Sequence, residues 1–294
     1  MKYFIVLFSI VFSSCMKLNS NLYDGDNKIT KYLLENYEDE DFTLDASYEI
    51  QDSLITLFSL ESQTENESAS TTIMALYVGD VTKISTDTVI LYCHGNKGNM
   101  DVYWQRAKLL ANTNGKNHYG LLMMDYRGFG LSKGKPTEAG VYADVNACLQ
   151  WLKEKGLSNE RLIIYGFSLG TAPACNLTAN PKAMTPSKII LEAPFSSAAT
   201  MVQDATQLDM PAIYVTNLKI DNSEEIKMIS QPFLWLHGLS DKFLNYKTHG
   251  QVVYDNYNGV YKEKFLVPGA DHSEVPDKMG FEQYLKVVGD FIRK

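Results

Sequence analysis

The five residues Gly166-Phe167-Ser168-Leu169-Gly170 constrain this chain more than any other stretch. They follow 161–165, an apolar run rich in β-formers, and precede 171–177, which can continue as a helix. A strand, a sharp turn carrying a serine and then a helix is the context in which G-x-S-x-G has chemical meaning. Such a turn strains the serine backbone and crowds its neighbours. Only small residues fit two before and two after, so Gly166 and Gly170 have a steric role. The hydroxyl is then held clear of the sheet, over the positive end of a helix. By chance alone, roughly one chain in ten of this length and composition would contain the motif. Its weight therefore depends on its surroundings.

Those surroundings alternate strand and helix from residue 88 onward. Strands are expected at 88–93, 119–125, 161–165, 188–192, 232–237 and 261–267. A helix is expected at 101–112. The clearest helix is 137–155, with Val141, Val145, Cys148, Leu149 and Leu152 on one face and Gly156 as its stop. A closing helix, 281–292, carries Phe281, Tyr284, Leu285, Val288, Phe291 and Ile292 as its stripe. This order implies an α/β fold with a mostly parallel sheet and helices on both faces. Upstream, 31–37 suggests a short helix, 42–51 and 54–60 an antiparallel pair, 61–72 a polar loop and 72–78 a strand. With 294 residues, 45% of them hydrophobic, one large domain is expected.

The N-terminus reads MKYFIVLFSIVFSSC. Lys2 is followed by an apolar core, 3–12, too short to span a bilayer. Phe12-Ser13-Ser14-Cys15 resembles a bacterial lipobox, with Phe12 where Leu is more usual. The expectation is a signal peptide over 1–14, lipidation at Cys15, a lipid-tethered polar linker over 15–40 and a domain over 41–294. That describes a membrane-anchored lipoprotein of a bacterial cell envelope. An ordinary cleaved signal and an uncleaved anchor are the alternatives. Cys93, Cys148 and Cys175 lie in apolar segments and read as buried free thiols. With a net charge of −8 and no Lys/Arg cluster, a nucleic-acid partner is not expected.

Four further motifs sit at the carboxyl ends of the expected strands, where functional groups collect in such sheets. They are His94-Gly95-Asn96-Lys97-Gly98-Asn99, Asp125-Tyr126-Arg127-Gly128-Phe129-Gly130-Leu131-Ser132, His237-Gly238-Leu239-Ser240-Asp241 and Pro268-Gly269-Ala270-Asp271-His272. A Gly-rich turn such as the first can aim backbone N–H groups at a developing oxyanion. The serine turn and these four, in this order, resemble the α/β-hydrolase superfamily over about 70–294. The nearest subgroup is the cap-less serine hydrolases, which include depalmitoylases and acyl esterases. The serine aminopeptidase-like hydrolases are more distant.

The resemblance implies Ser168 as nucleophile, His272 as base and Asp241 as acid, with Asp271 a rival acid that would have to fold back. It implies the backbone N–H groups of Leu169 and Asn96 as oxyanion donors, Lys97 being the alternative to Asn96. A histidine is the side chain whose ordinary pKa suits deprotonating a serine near neutrality. His94 and His237 read as structural, His118 and His249 as surface residues, and Arg127 as a brace within its loop. No metal-ligand spacing and no phosphate-binding or dinucleotide fingerprint appears, so no metal and no cofactor is expected. The expected activity is hydrolysis of a small-molecule or lipid-like acyl ester or thioester through an acyl-serine. A serine peptidase and a non-enzymatic binding protein on the same scaffold are the alternatives. Residues 198–230 allow at most a small lid. Within them Met201, Leu208, Met210, Pro211, Ile213, Tyr214 and Val215 would either wall an acyl pocket or pack short helices onto the core.

Overall fold

Alternate side chains of a strand go to opposite faces of its sheet, and here both sets are apolar. In β4 (Val89–Cys93), Ile90 and Tyr92 enter one core while Val89, Leu91 and Cys93 enter the other. β6 (Gly120–Asp125) and β7 (Leu162–Phe167) divide in the same way, with Leu121, Met123, Ile163 and Tyr165 opposite Leu122, Met124, Leu162 and Ile164. Strands buried on both faces need a helical layer on each. The computed structural model of the chain describes residues 23–39, 41–206 and 216–294, and has that arrangement.

The strands are completed by β1 (Asp24–Gly25), β2 (Ile55–Ser62), β3 (Thr71–Val78), β5 (Lys97–Gly98), β8 (Lys188–Glu192), β9 (Phe233–Gly238) and β10 (Lys262–Val267). Eight of them form one sheet in the order β10-β9-β8-β7-β4-β6-β3-β2, and β1 pairs with β5 separately, in parallel. Only β3 runs against its neighbours in the large sheet. The helices are α1 (Trp104–Ala111), α2 (Glu138–Glu154), α3 (Thr171–Ala179), α4 (Ala198–Thr206), α5 (Asn222–Glu225), α6 (Gly250–Asn256), α7 (Val275–Met279) and α8 (Phe281–Arg293). α1 and α8 cover one face, through Ala107, Leu110, Tyr284, Val288 and Phe291. α2 and α3 cover the other, through Val145, Leu149, Leu152, Ala174 and Leu177. Thr137 caps α2, its hydroxyl accepting the Gly140 N–H at 3.1 Å. Cys93, Cys148 and Cys175 are buried free thiols, and burial pushes each above the ordinary thiol range.

The upstream segment differs from expectation. Residues 42–51 form no strand. Ala46–Tyr48 is a single 3-10 turn capped by Asp45, which accepts the Ser47 N–H at 2.8 Å. Phe42, Leu44 and Ile50 are apolar anchors that pin an irregular segment to the core. Their even spacing imitates a strand. The partner of β2 is β3, with Ile55 opposite Val78 and Ser62 opposite Thr71. The polar loop accordingly shrinks to 63–70. Of the helix expected at 31–37, one 3-10 turn, Leu34–Asn36, is present. Residues 23–37, expected within a polar linker, lie on the fold and are bonded to it. Their polar side chains and backbone groups meet buried partners, a role that composition does not reveal. The signal segment, Cys15 and residues 208–215 lie outside the described residues.

Candidate active site

The site begins with a strained backbone. Ser168 has φ of 51°, the left-handed region that a side chain raises by about 1–2 kcal/mol. The turn is held by what surrounds it. A Cβ on Gly166 would lie 2.6 Å from the Gly170 carbonyl oxygen, and one on Gly170 would overlap the Cys93 carbonyl oxygen. Both glycines are needed so that β7, the end of β4 and the start of α3 can close around the serine. Thr171 locks the turn by donating its hydroxyl to the Ser168 carbonyl at 2.6 Å.

Three strand ends bring the partners in. Ser168 Oγ lies 2.8 Å from His272 Nε2, and His272 Nδ1 lies 2.8 Å from Asp241 Oδ2. The other Asp241 oxygen accepts the backbone N–H groups of Phe243 and Leu244 at 2.9 and 2.7 Å. Burial alone would raise the Asp241 carboxyl. Hydrogen bonds from His237 and His272 outweigh it and hold the group well below the ordinary carboxylate range. An ionised Asp241 fixes the Nδ1–H tautomer of His272 and leaves Nε2 free to face the serine. Asp271, the rival, accepts the backbone N–H of His272 and pairs with Lys242 at the surface, away from the imidazole.

The backbone N–H groups of Asn96 and Leu169 donate to no other described residue. The Lys97 N–H donates to the Tyr103 hydroxyl at 3.0 Å. Lys97 is thus occupied, and Asn96 is the better placed of the two as a donor to substrate. A cleft of about 270 Å³ opens beside Ser168 and His272. Val102, Tyr103, Phe167 and Phe243 form its apolar walls, and Asp24, Asp41 and Lys97 its rim. No group of three or more His, Cys, Asp or Glu among the described residues is arranged to hold a metal ion.

The remaining polar motifs serve the frame. His94 is buried, with Nδ1 2.7 Å from the Gly95 carbonyl and Nε2 3.3 Å from Asp125. Arg127 braces its loop by bonds to Asp144, Glu67 and Ser62. His237 is more than a strand end. Trp235 Nε1–H donates to its Nδ1 at 3.1 Å, which leaves the Nε2 proton facing Leu244 O at 2.9 Å and Asp241 Oδ2 at 3.2 Å. His118 is exposed, as expected, but His249 is fully buried. Its Nδ1 accepts the Ser196 N–H and its Nε2 lies 3.2 Å from Asp204, while burial lowers its pKa. Its lone position in a polar stretch gave no sign of this. Arg106 was also missed. Fully buried, it pairs with Glu192 at 2.6 Å, donates to the Ser273 carbonyl beside His272, and lies 4.4 Å above the Phe167 ring. Its only sequence signal was a cation, with Lys108 nearby, on an otherwise largely apolar helix.

A family model described as the alpha/beta hydrolase fold matches residues 88–210. A protein of Acanthamoeba polyphaga mimivirus named as an alpha/beta hydrolase is 30% identical over 204 residues, covering 69% of this chain and 73% of that one. Alpha/beta hydrolase domain-containing protein 17C of Mus musculus is 27% identical over 209 residues, covering 71% of this chain and 60% of its own. Among solved structures, the Pyrococcus furiosus esterase superposes with a TM-score of 0.63 at 16% identity, over 92% of this chain and 97% of the esterase. The chain belongs to the alpha/beta hydrolase family and is a hydrolase.

Proposed function

We propose that the chain hydrolyses carboxylic acyl esters or thioesters through an acyl-serine intermediate. The observation that carries this reading is the unbroken Ser168–His272–Asp241 chain, with 2.8 Å at each link. Ser168 Oγ attacks the carbonyl carbon as its proton passes to His272 Nε2. The carbonyl oxygen becomes an oxyanion facing the N–H groups of Leu169 and Asn96. Collapse breaks the bond to the leaving alcohol or thiol, which takes the proton from His272. Water then adds to the acyl carbon, giving its proton to His272, and Ser168 leaves with that proton. Asp241 stabilises the imidazolium in both halves.

The cleft favours a short to medium acyl chain. Its volume of about 270 Å³ falls just below the range of about 300–1,000 Å³ for drug-sized ligands. Its apolar walls come from the turn before α1, the end of β7 and the Asp241 loop. Met201 packs on Phe195, Ala198 and Ile220, so for that residue the packing reading is the better supported. A peptidase needs a group to hold a peptide amine. Asp221 is taken up in capping α5, and Asp204 lies against His249 and Thr248. Those two carboxylates are engaged elsewhere, and the apolar walls support esters over amides; Asp24 and Asp41 on the rim, and Asp209 outside the described residues, are what the amide arm of the test addresses. The test is fluorophosphonate labelling of Ser168, followed by kcat/KM over an acyl-ester series beside aminoacyl and peptidyl amides. Labelling with a preference for esters is expected. A preference for amides would put the peptidase first, and no labelling would favour a binding protein.

The same proposal places the protein at a bacterial envelope membrane, held by lipid on Cys15 after removal of 1–14. No helix among the described residues is long and apolar enough to cross a membrane. Mass spectrometry of the mature N-terminus tests this: a diacylated Cys15 is expected, and an unmodified chain starting elsewhere rejects it.

A further inference from the structure

An oxyanion donor works only if it is held in place before the charge forms. The Asn96 N–H sits on a glycine-bearing loop between β4 and α1, outside the large sheet. What holds that loop comes largely from a segment 72 residues upstream, around Asp24. The Asp24 N–H donates to the Asn96 side-chain oxygen at 3.1 Å. β1 then pairs with β5 immediately after Asn96, and the Asp26 N–H donates to the Gly98 carbonyl at 2.9 Å. Gly25 presses on Phe129, where a Cβ would come within 2.5 Å of the ring.

The segment is fastened further along. The Tyr32 hydroxyl donates to Asp125 at 2.6 Å and accepts the Leu131 N–H at 3.1 Å. Asp101 accepts the N–H groups of Leu33 and Leu34 at 2.8 and 2.7 Å. Glu35 meets the otherwise buried Lys108 ammonium at 2.6 Å and Trp104 Nε1 at 2.8 Å. These contacts fall on the loops and helix behind the cleft, and Asp24 itself lines the cleft.

We propose that residues 23–35 are a positioning strap for the oxyanion loop, acting through the Asp24 N–H on the Asn96 side chain. Asp24 is a positioning residue, since it acts on substrate through Asn96. The proposal rests on the serine hydrolase reading above. It predicts a loss in kcat when the bond is removed from either side, with little change in ground-state binding.

The experiment is a double-mutant cycle in the full chain, assayed on a p-nitrophenyl ester. Asp24→Pro removes the N–H, and Asn96→Ala removes the acceptor while keeping the Asn96 backbone N–H. Each is expected to lower kcat about tenfold, less than the ~10²–10³ for deleting a donor outright, with KM within about twofold. The double variant is expected to lose no more than the worse single, because both break one bond. Tyr32→Phe, which loosens the strap elsewhere, keeps the test open if Asp24→Pro does not fold; it should also lower kcat at constant KM. Multiplying losses in the cycle would overturn the strap, as would unchanged kcat in the folded variants. Fluorophosphonate labelling of the wild type separates the two readings. If Ser168 does not label, the hydrolase mechanism fails and takes the strap with it. If it labels while the variants turn over normally, the strap alone is wrong.

Discussion

Asp241 and Glu225 are both carboxyls shielded from water, and their neighbours drive them in opposite directions. Asp241 has its folded pKa depressed by two imidazole bonds, in spite of burial. Its contribution to stability is therefore present above its unfolded value of about 3.9 and lost only as pH falls through the folded one. Between pH 5 and 9 it does not change charge, so no step of a rate profile in that window should come from Asp241. Ser168→Ala and His272→Ala should each lower kcat by roughly 10⁴ or more. Asp241→Asn should cost less than either, because it spoils the tautomer and leaves the bond-making groups. Steady-state kinetics on folded variants checks all three. Glu225 is pushed up to about 7, first by burial and then by Glu138 and Asp221, with the Asn176 bond opposing. Here the fold prefers the protonated form. That stabilisation is complete below the unfolded value near 4.3 and disappears as pH rises through about 7. Glu225→Gln should raise stability by about 2 kcal/mol at pH 8 and leave it nearly unchanged at pH 4. Denaturant midpoints at the two pH values decide it.

Elements show where steric rules leave no freedom. Gly170→Ala sets a methyl against the Cys93 carbonyl at the crossing of β4 and α3. Backbone must move to admit it, so a loss of more than about 3 kcal/mol is expected in thermal or denaturant unfolding. Arg127→Met should cost about 3–5 kcal/mol by leaving Asp144 buried without its charge partner. The same rules explain what could be read in advance. Doubly buried strands and capped amphipathic helices leave periodic signals, so β4, β6 to β10, α2 and α8 were legible to within a residue or two. Ser168, Asp241 and His272 were legible as candidates because the motifs that carry them, in their order at strand ends, resemble those of α/β-hydrolases. Asn96 could not be separated from Lys97, since that depends on the Tyr103 hydroxyl reaching one N–H. The segment at 42–51 misled because two apolar anchors spaced by two residues look alike in a strand and in an irregular chain. His249, Arg106 and His237 act through partners distant in sequence, such as Asp204 and Glu192, or through a neighbour's ring, as with Trp235. No local pattern encodes those meetings.

For the molecule as a whole, two apolar layers make the sheet rigid, while the groups that face substrate stand on loops at one end of it. The parallel pairing of β1 with β5 has a consequence for the order in which the chain acquires structure. Asp24 leaves the ribosome long before Asn96, Gly98, Asp101, Asp125 and Leu131, its own or its neighbours' partners, and the amides of Asp24, Asp26, Leu33 and Leu34 meet Asn96, Gly98 and Asp101. The segment must therefore wait, solvated, until the sheet behind it exists, because its contacts carry the loop-closure cost of distant pairings. In the finished protein it should also be the first part to reopen. The amides of Asp24, Asp26, Leu33 and Leu34 are expected to exchange hydrogen through an opening of lower free energy than those of β4 and β7. Native-state exchange under increasing denaturant would show this as a separate, earlier isotherm, and a single shared isotherm would refute it. Catalytic competence would then trail global folding: a refolding chain should regain its far-ultraviolet signal before it regains turnover, by the time residues 23–35 take to close over the Asn96 loop.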